Sequence, residues 1–179
     1  IDNKIAKVAS DVILLEELIK NNDVFSYVDG DLEYTSNEAQ LNLTNDIYDW
    51  INVNTDYDQI RILDITGMEM IRVNYNEGNP TIVDPTQLQD KSSRYYFINS
   101  IDVDDEYIYL SKLDLNVENG AIEYVGNSPK AMLRIASTIY NDDGEQIGLL
   151  IVNYLAYHLF HDEETKVGDF TAFEVINQD

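Results

Sequence analysis

Arg94-Tyr95-Tyr96-Phe97 sets one guanidinium directly before three aromatic rings. A planar fork of donors backed by apolar rings suits a carboxylate or another small anion. Tyr109, Ser111 and Asp114 follow closely. At strand spacing Tyr109 and Ser111 share a face, so their hydroxyls and the Asp114 carboxylate complete a candidate ligand-binding set of seven residues. Arg134 lies in an otherwise small and apolar run, with Asp114 as a candidate structural partner. The plainer alternative makes Arg94 a surface cation whose stem packs on tyrosine, and the hydroxyls ordinary cross-strand neighbours.

Other chemistry finds little support. Asp102, Asp104, Asp105 and Glu106 lack the glycine and full spacing of a calcium loop and read as a solvated acidic loop. Asp142-Asp143-Gly144 is turn chemistry. His158 and His161 stand three apart on an expected helix, but no third ligand accompanies them, so a solvated helix end is preferred to a metal site. There is no nucleophile elbow and no glycine-rich phosphate loop. The absence of cysteine removes disulfides, thiolate zinc sites and a cysteine nucleophile. The expectation is a non-catalytic chain with no metal and no cofactor.

Charge narrows the partners. Eleven Lys and Arg against 34 Asp and Glu give a formal net charge of −23. Such a surface repels phosphate backbones and anionic lipid headgroups, which excludes nucleic acid as a partner. With 44% hydrophobic residues the chain is nevertheless no disordered acidic tail. Its 179 residues suffice for one domain burying roughly 70% of its unfolded surface. No stretch approaches the ~18 apolar residues of a membrane span.

These side chains must be held by elements that the periodicity reveals. Ile1, Ile5, Val8, Val12, Leu15 and Ile19 are spaced 4-3-4-3-4, so the chain opens on a long helix. That seam suits packing on the domain's own sheet, and also pairing with a twin helix in a homodimer. A polar loop at Asp29-Gly30-Asp31 follows. Thr35-x-x-Glu38 then reads as a capping box opening a second amphipathic helix over about 36–52. Ile60 to Thr66 and Met68 to Tyr75 flank Gly67 as a β-hairpin. Residues 76–93 are loop-rich, and Arg94 to Phe97 open a short helical segment. Tyr107 to Ser111 reads as a strand, Glu118-Asn119-Gly120 as a turn and Ala121 to Val125 as a short strand. Ala131 to Tyr140 and Glu145 to Asn153 form a second hairpin. Two hairpins and two amphipathic helices predict an α+β domain whose single antiparallel sheet is covered by helices. A further helix is expected from about Leu155 to Glu164. Phe173 to Asp179 echoes the first hairpin without reaching a glycine. The expected division is therefore a module over 1–154 and, over 155–179, a linker helix and the start of a second, truncated module in a piece of a longer protein.

Taken in order, several segments resemble the extracytoplasmic double-Cache, or PAS-like, sensor domains. They are Tyr57 to Asp64 with Gly67 and Arg72 to Tyr75, Asp90 to Phe97, Leu113 to Asn116, and Arg134 to Gly144. The resemblance implies a long N-terminal helix stacked along two modules, each with a central antiparallel sheet. It also implies a small ligand in the membrane-distal module, an organic acid or an amine, and flanking membrane spans. The output would be a cytoplasmic histidine kinase first, with a diguanylate cyclase or chemotaxis region as alternatives. Amino-acid-sensing members resemble one another in an Arg-x-Trp-Tyr segment, a Tyr five positions before the Arg and an Asp from a later strand. Here Gln89 holds the upstream place and no Asp lies between Ile122 and Pro129. The expectation is thus a hollow beneath the strands, walled by tyrosines and armed with Arg94, in a domain outside the cell membrane. A ligand-free module used only for dimerisation is the competing expectation.

Overall fold

The computed structural model describes residues 2–160 apart from 23, 29, 30, 119 and 142. Helix α1 (Asp2–Asn21) buries Val8, Val12, Leu15 and Ile19, so the seam faces the protein's own sheet. Ile13 and Leu14 are left on the outer side. A small hairpin follows, β1 (Phe25–Val28) paired antiparallel with β2 (Asp31–Tyr34), where a polar loop was expected. Phe25 is buried and Tyr34 half-buried against it, their ring centroids 5.3 Å apart. Helix α2 (Asn37–Val53) starts one residue later than the capping box predicts: Ser36, not Thr35, is the N-cap, its hydroxyl accepting from the Ala39 N–H at 3.0 Å.

The first expected hairpin is β3 (Tyr57–Asp64) and β4 (Glu69–Asn74). Asp64 builds its turn, Oδ1 accepting from the N–H groups of Thr66 at 2.8 Å and Met68 at 3.0 Å. Gly67 is required there, because φ is +93° and an added Cβ would meet the Ser92 backbone at 2.6 Å. A two-residue edge strand, β5 (Thr81–Ile82), extends β4. Helix α3 (Tyr95–Ser100) is the short helical segment expected after Arg94.

Residues 109–129 then form a series of two-residue strands. They are β6 (Tyr109–Leu110), β7 (Asp114–Leu115), β8 (Val117–Glu118), β9 (Ala121–Ile122), β10 (Tyr124–Val125) and β11 (Ser128–Pro129). The second hairpin is β12 (Ala131–Tyr140) with β13 (Gln146–Leu155), and α4 (Ala156–Phe160) follows it. Of the linker helix and truncated second module expected over 155–179, residues 161–179 lie outside the described residues.

The two long hairpins join edge to edge, β13 on β3, in a sheet ordered β5-β4-β3-β13-β12-β6 with β7 also on β12. Gly148 permits this union, since any Cβ there would stand 2.2 Å from the Leu63 carbonyl oxygen. Strand alternation sorts the side chains onto two faces. Ile60, Ile62, Val73, Leu133, Ile135, Leu150 and Val152 meet α1 and α2 in the main core. Leu63, Ala136, Leu149 and Ile151 point the other way, towards Tyr96 and Phe97 of α3.

Candidate functional site

The face turned away from α1 and α2 carries the chemistry. On β12, Leu133 and Ile135 face the helices, so Arg134 between them must face the other side, which the short strands and loops of residues 109–129 cover as a roof. Its side chain is 1% exposed. Nη1 donates to Asp114 of β7, Nη2 donates to Asn116 at 3.1 Å, and the guanidinium carbon sits 4.9 Å from the Tyr96 ring centroid. Ser111 locks the backbone: its hydroxyl accepts from the Arg134 N–H at 2.9 Å and donates to the Lys112 carbonyl at 2.7 Å.

The seven residues singled out by the sequence gather here. Arg94 stands at the N-cap of α3, half-buried, 5.8 Å from the centre of the Tyr96 ring. Tyr95 meets Tyr96 edge-on at 5.7 Å. Its hydroxyl is enclosed beside Ser111 and Asp114 without good hydrogen-bond geometry, and burial pushes the phenol up. The Lys112 ammonium covers the Tyr95 ring at 5.6 Å. Phe97 and Tyr109 pack on Ala136 and Ile151 beside this group. The expected pairing of Arg134 with Asp114 is present.

A second cluster, which sequence reasoning missed, lies on β3 and β4. Arg61, 1% exposed, stands between Ile60 and Ile62, and a cation between two apolar strand residues was the one local signal. Its Nε lies 3.1 Å from Oε1 of the wholly buried Glu69. Glu69 Oε2 accepts from Arg72 at 3.1 Å and from the Gln89 N–H at 3.0 Å. Glu118, from the roof, pairs with Arg61 and lies 3.6 Å from Arg72 and 3.5 Å from Lys91. Burial works against the Glu118 charge, yet Arg61, Lys91 and Arg72 together hold its carboxyl below the ordinary value.

A third group links strand to roof. Lys130 donates to Asp58 at 2.8 Å and lies 3.4 Å from Glu123. Burial pushes Asp58 up, with Lys130 opposing it. The roofed face is therefore occupied by charged side chains that meet one another, where a hollow was expected. An open cavity of about 320 Å³ lies elsewhere, between α2 and the β4–β5 edge, beside Leu41, Thr44, Ile82 and Leu88. Among the described residues no group of three or more His, Asp and Glu could hold a metal ion, and no helix is long and apolar enough to cross a membrane. His161 lies outside the described residues.

A central antiparallel sheet with helices behind it, and a roof of short strands over buried charges in front, defines a sensor module of the PAS or Cache kind. The model of the bacterial histidine kinase sensor domain matches residues 3–162, and the chain belongs to that family. Solved structures agree on the fold. One is a domain assigned to a sensory box/GGDEF family protein from Vibrio parahaemolyticus, 23% identical with a TM-score of 0.69, the match covering 88% of this chain and 56% of that one. Another is the extracellular domain of vpHK1S-Z8, assigned as a histidine kinase, again 23% identical with a TM-score of 0.69, covering 88% and 53%. A third is the ligand-binding domain of the Campylobacter jejuni chemoreceptor Tlp3 in complex with 4-methylisoleucine, 15% identical with a TM-score of 0.60, covering 88% and 54%. The chain thus spans little more than half the length of these structures. No curated protein matches the sequence.

Proposed function

We propose that this chain is the ligand-sensing ectodomain of a membrane-anchored bacterial histidine kinase, facing outward, and that it binds a small organic acid at the Arg94–Tyr96–Arg134 patch. The observation that carries the reading is the state of Arg94. Arg61, Arg72 and Arg134 all meet carboxylates, whereas Arg94 meets the Tyr96 ring and, among the described residues, no carboxylate. A half-buried guanidinium left unspent in a chain of net charge −23 is a recognition group for an anion that comes from outside. Tyr95, Ser111 and Asp114 supply hydroxyl and carboxylate groups beside it, and Phe97 and Tyr109 supply the apolar wall. The Tlp3 domain offers a parallel, since its amino-acid ligand also presents a carboxylate.

Strand β12 is the route for the signal. Arg134 faces the patch, while Leu133, Ile135 and Ile139 on the opposite side share a core with Val8, Val12, Leu15 and Ile19 of α1. A ligand that prefers one position of β12 biases α1 by that differential affinity and no more. A twin helix in a homodimer would meet α1 on its outer side, at Ile13 and Leu14. The test is melting temperature against a panel of small organic acids. At a hundredfold excess over Kd the stabilisation is about 2.7 kcal/mol, which raises Tm by about 5–10 °C for a chain of this size. Arg94→Ala should keep the unliganded Tm within about 2 °C and abolish the ligand shift. An unchanged shift in Arg94→Ala removes the patch as the site. No shift with any acid leaves assembly through α1 as the function.

A further inference from the structure

The Arg61–Arg72–Lys91 cluster is built like an anion-binding cage whose occupant is part of the chain. All three cations are buried, at 1%, 8% and 5% exposure. Glu69 is their fixed counter-ion: it sits on β4, is wholly buried, and is engaged by Arg61, Arg72 and the Gln89 N–H. That leaves two positive charges facing the roof, and among the described residues only the Glu118 carboxylate answers them.

Glu118 is held differently from the rest. It comes from β8, which among the described residues pairs with β9 alone, so the hairpin is tied down only at its base, where the Asn116 and Glu123 backbones bond to Lys130. At 12% its side chain is the most exposed of the five. Its presence does not saturate the cage either, for among the described residues Arg61 Nη1 and Arg72 Nε are buried donors without a hydrogen-bond partner. Buried donors left unmade are costly, so a second acceptor on a freely placed ligand has something to gain here.

We infer that Arg61, Arg72 and Lys91 form a carboxylate-binding subsite that Glu118 fills as a tethered surrogate, and that a ligand carboxylate displaces it and lifts the β8–β9 hairpin. The inference rests on the roofed face being the ligand side. It deepens that reading by making the ligand a dicarboxylate or an acid with a second oxyanion group. The displaced Glu118 carries its charge into water, while the incoming carboxylate keeps the cage at the same net charge. Opening therefore exchanges one ion-pair set for another instead of leaving cations bare.

Chemical rescue tests this. Glu118→Ala deletes the tethered carboxylate and leaves room for a free one, with acetate as the probe against chloride at equal ionic strength. In chloride the variant should melt below wild type. Acetate should restore at least about half of the lost Tm, half-saturating at a concentration about tenfold or more below any effect on wild type. Adding Lys91→Met should remove the rescue. Equal behaviour in acetate and chloride makes Glu118 a structural ion-pair member and overturns the inference. If Glu118→Ala folds in neither salt, amide exchange in wild type decides. Exchange at Val117, Glu118, Ala121 and Ile122 should accelerate in acetate over equal chloride, and unchanged exchange also overturns the inference. Arg94→Ala in the Glu118→Ala background should leave the acetate rescue intact, so failure at the Arg94 patch and failure at this cage read separately.

Discussion

The two faces of one sheet are built on opposite principles. Towards α1 and α2, Ile60, Ile62, Leu150, Val152 and Ile135 are each at most 1% exposed and belong to one apolar core. On the other face the same strands bury Arg61, Asp58, Arg134 and Asn153 beneath two-residue strands and loops. The period-2 alternation of a strand makes such a division possible, and the bulge opposite Asn153 and Tyr154 takes Asp58, which shares the parity of Ile60 and Ile62, out of the apolar face. The apolar face gains free energy as it is buried. The charged face pays for desolvation with pairing alone, and apolar residues of similar volume would often be neutral or better. Under the proposed function this charged side is the one that meets a charged ligand, next to a scaffold that needs none.

The sharpest way to break the comparison is at Lys130 and Asp58. Lys130→Ala leaves a carboxylate that is 2% exposed without its cation, and should cost about 3–5 kcal/mol in chemical denaturation. Asp58→Leu together with Lys130→Met should recover all of that, and up to about 4 kcal/mol beyond wild type. Glu123 tolerates the change because Asn116 still donates to it at 2.8 Å. A double variant as unstable as the single one would mean that the roofed face contributes to stability as the helical face does.

The matching change on the other side is Leu150→Ala. Leu150 is 0% exposed and pairs with Ile62 in the register that joins the two hairpins. Its truncation should cost about 2–5 kcal/mol from lost transfer energy and the cavity left behind. No second substitution of the kind that rescues Lys130→Ala should help. It should also leave the affinity of the folded protein for a ligand unchanged, and a titration below Tm separates the two effects.

The scaffold was legible because its signals are local. The seam of α1, the glycine at the β3–β4 turn and the Asn141 turn between β12 and β13 each sit within a few residues of what they organise. Asn141 Oδ1 accepts from the Asp143 and Glu145 N–H groups at 3.1 and 2.8 Å. The β1–β2 hairpin was missed because Asp29-Gly30 was read only as polar loop, although alternating apolar residues flank it. The Arg94 group was legible for the same reason as the scaffold: its members lie within about twenty residues, and only Arg134 is brought from further away. The Arg61 cage was not legible. Arg61 and Glu118 are 57 residues apart and meet through a hairpin whose strands are two residues long. Its one local signal, a cation between Ile60 and Ile62, also fits an outward-facing charge, and the roof that buries it has no periodicity to announce it.

The smallest expected effect tests whether the helical face truly excludes charge, since Glu16 intrudes on it. One carboxylate oxygen of Glu16 is buried without a hydrogen-bond partner among the described residues, and burial, reinforced by Glu17, pushes the group up to about 7. A carboxyl whose folded pKa lies above its unfolded one binds more protons when folded, so stability falls as pH rises. The loss begins near the ordinary glutamate value of 4.5 and is complete just above 7. Glu16 is only half-buried, so solvent screening reduces the effect to about 1 kcal/mol. Glu16→Gln removes the titration. It should match wild type within error at pH 4, and exceed it at pH 8 by a few degrees in Tm. Equal curves for the two proteins across that range would show that α1 accommodates the charge, and that the apolar face is less exclusive than its neighbours Val12, Leu15 and Ile19 suggest.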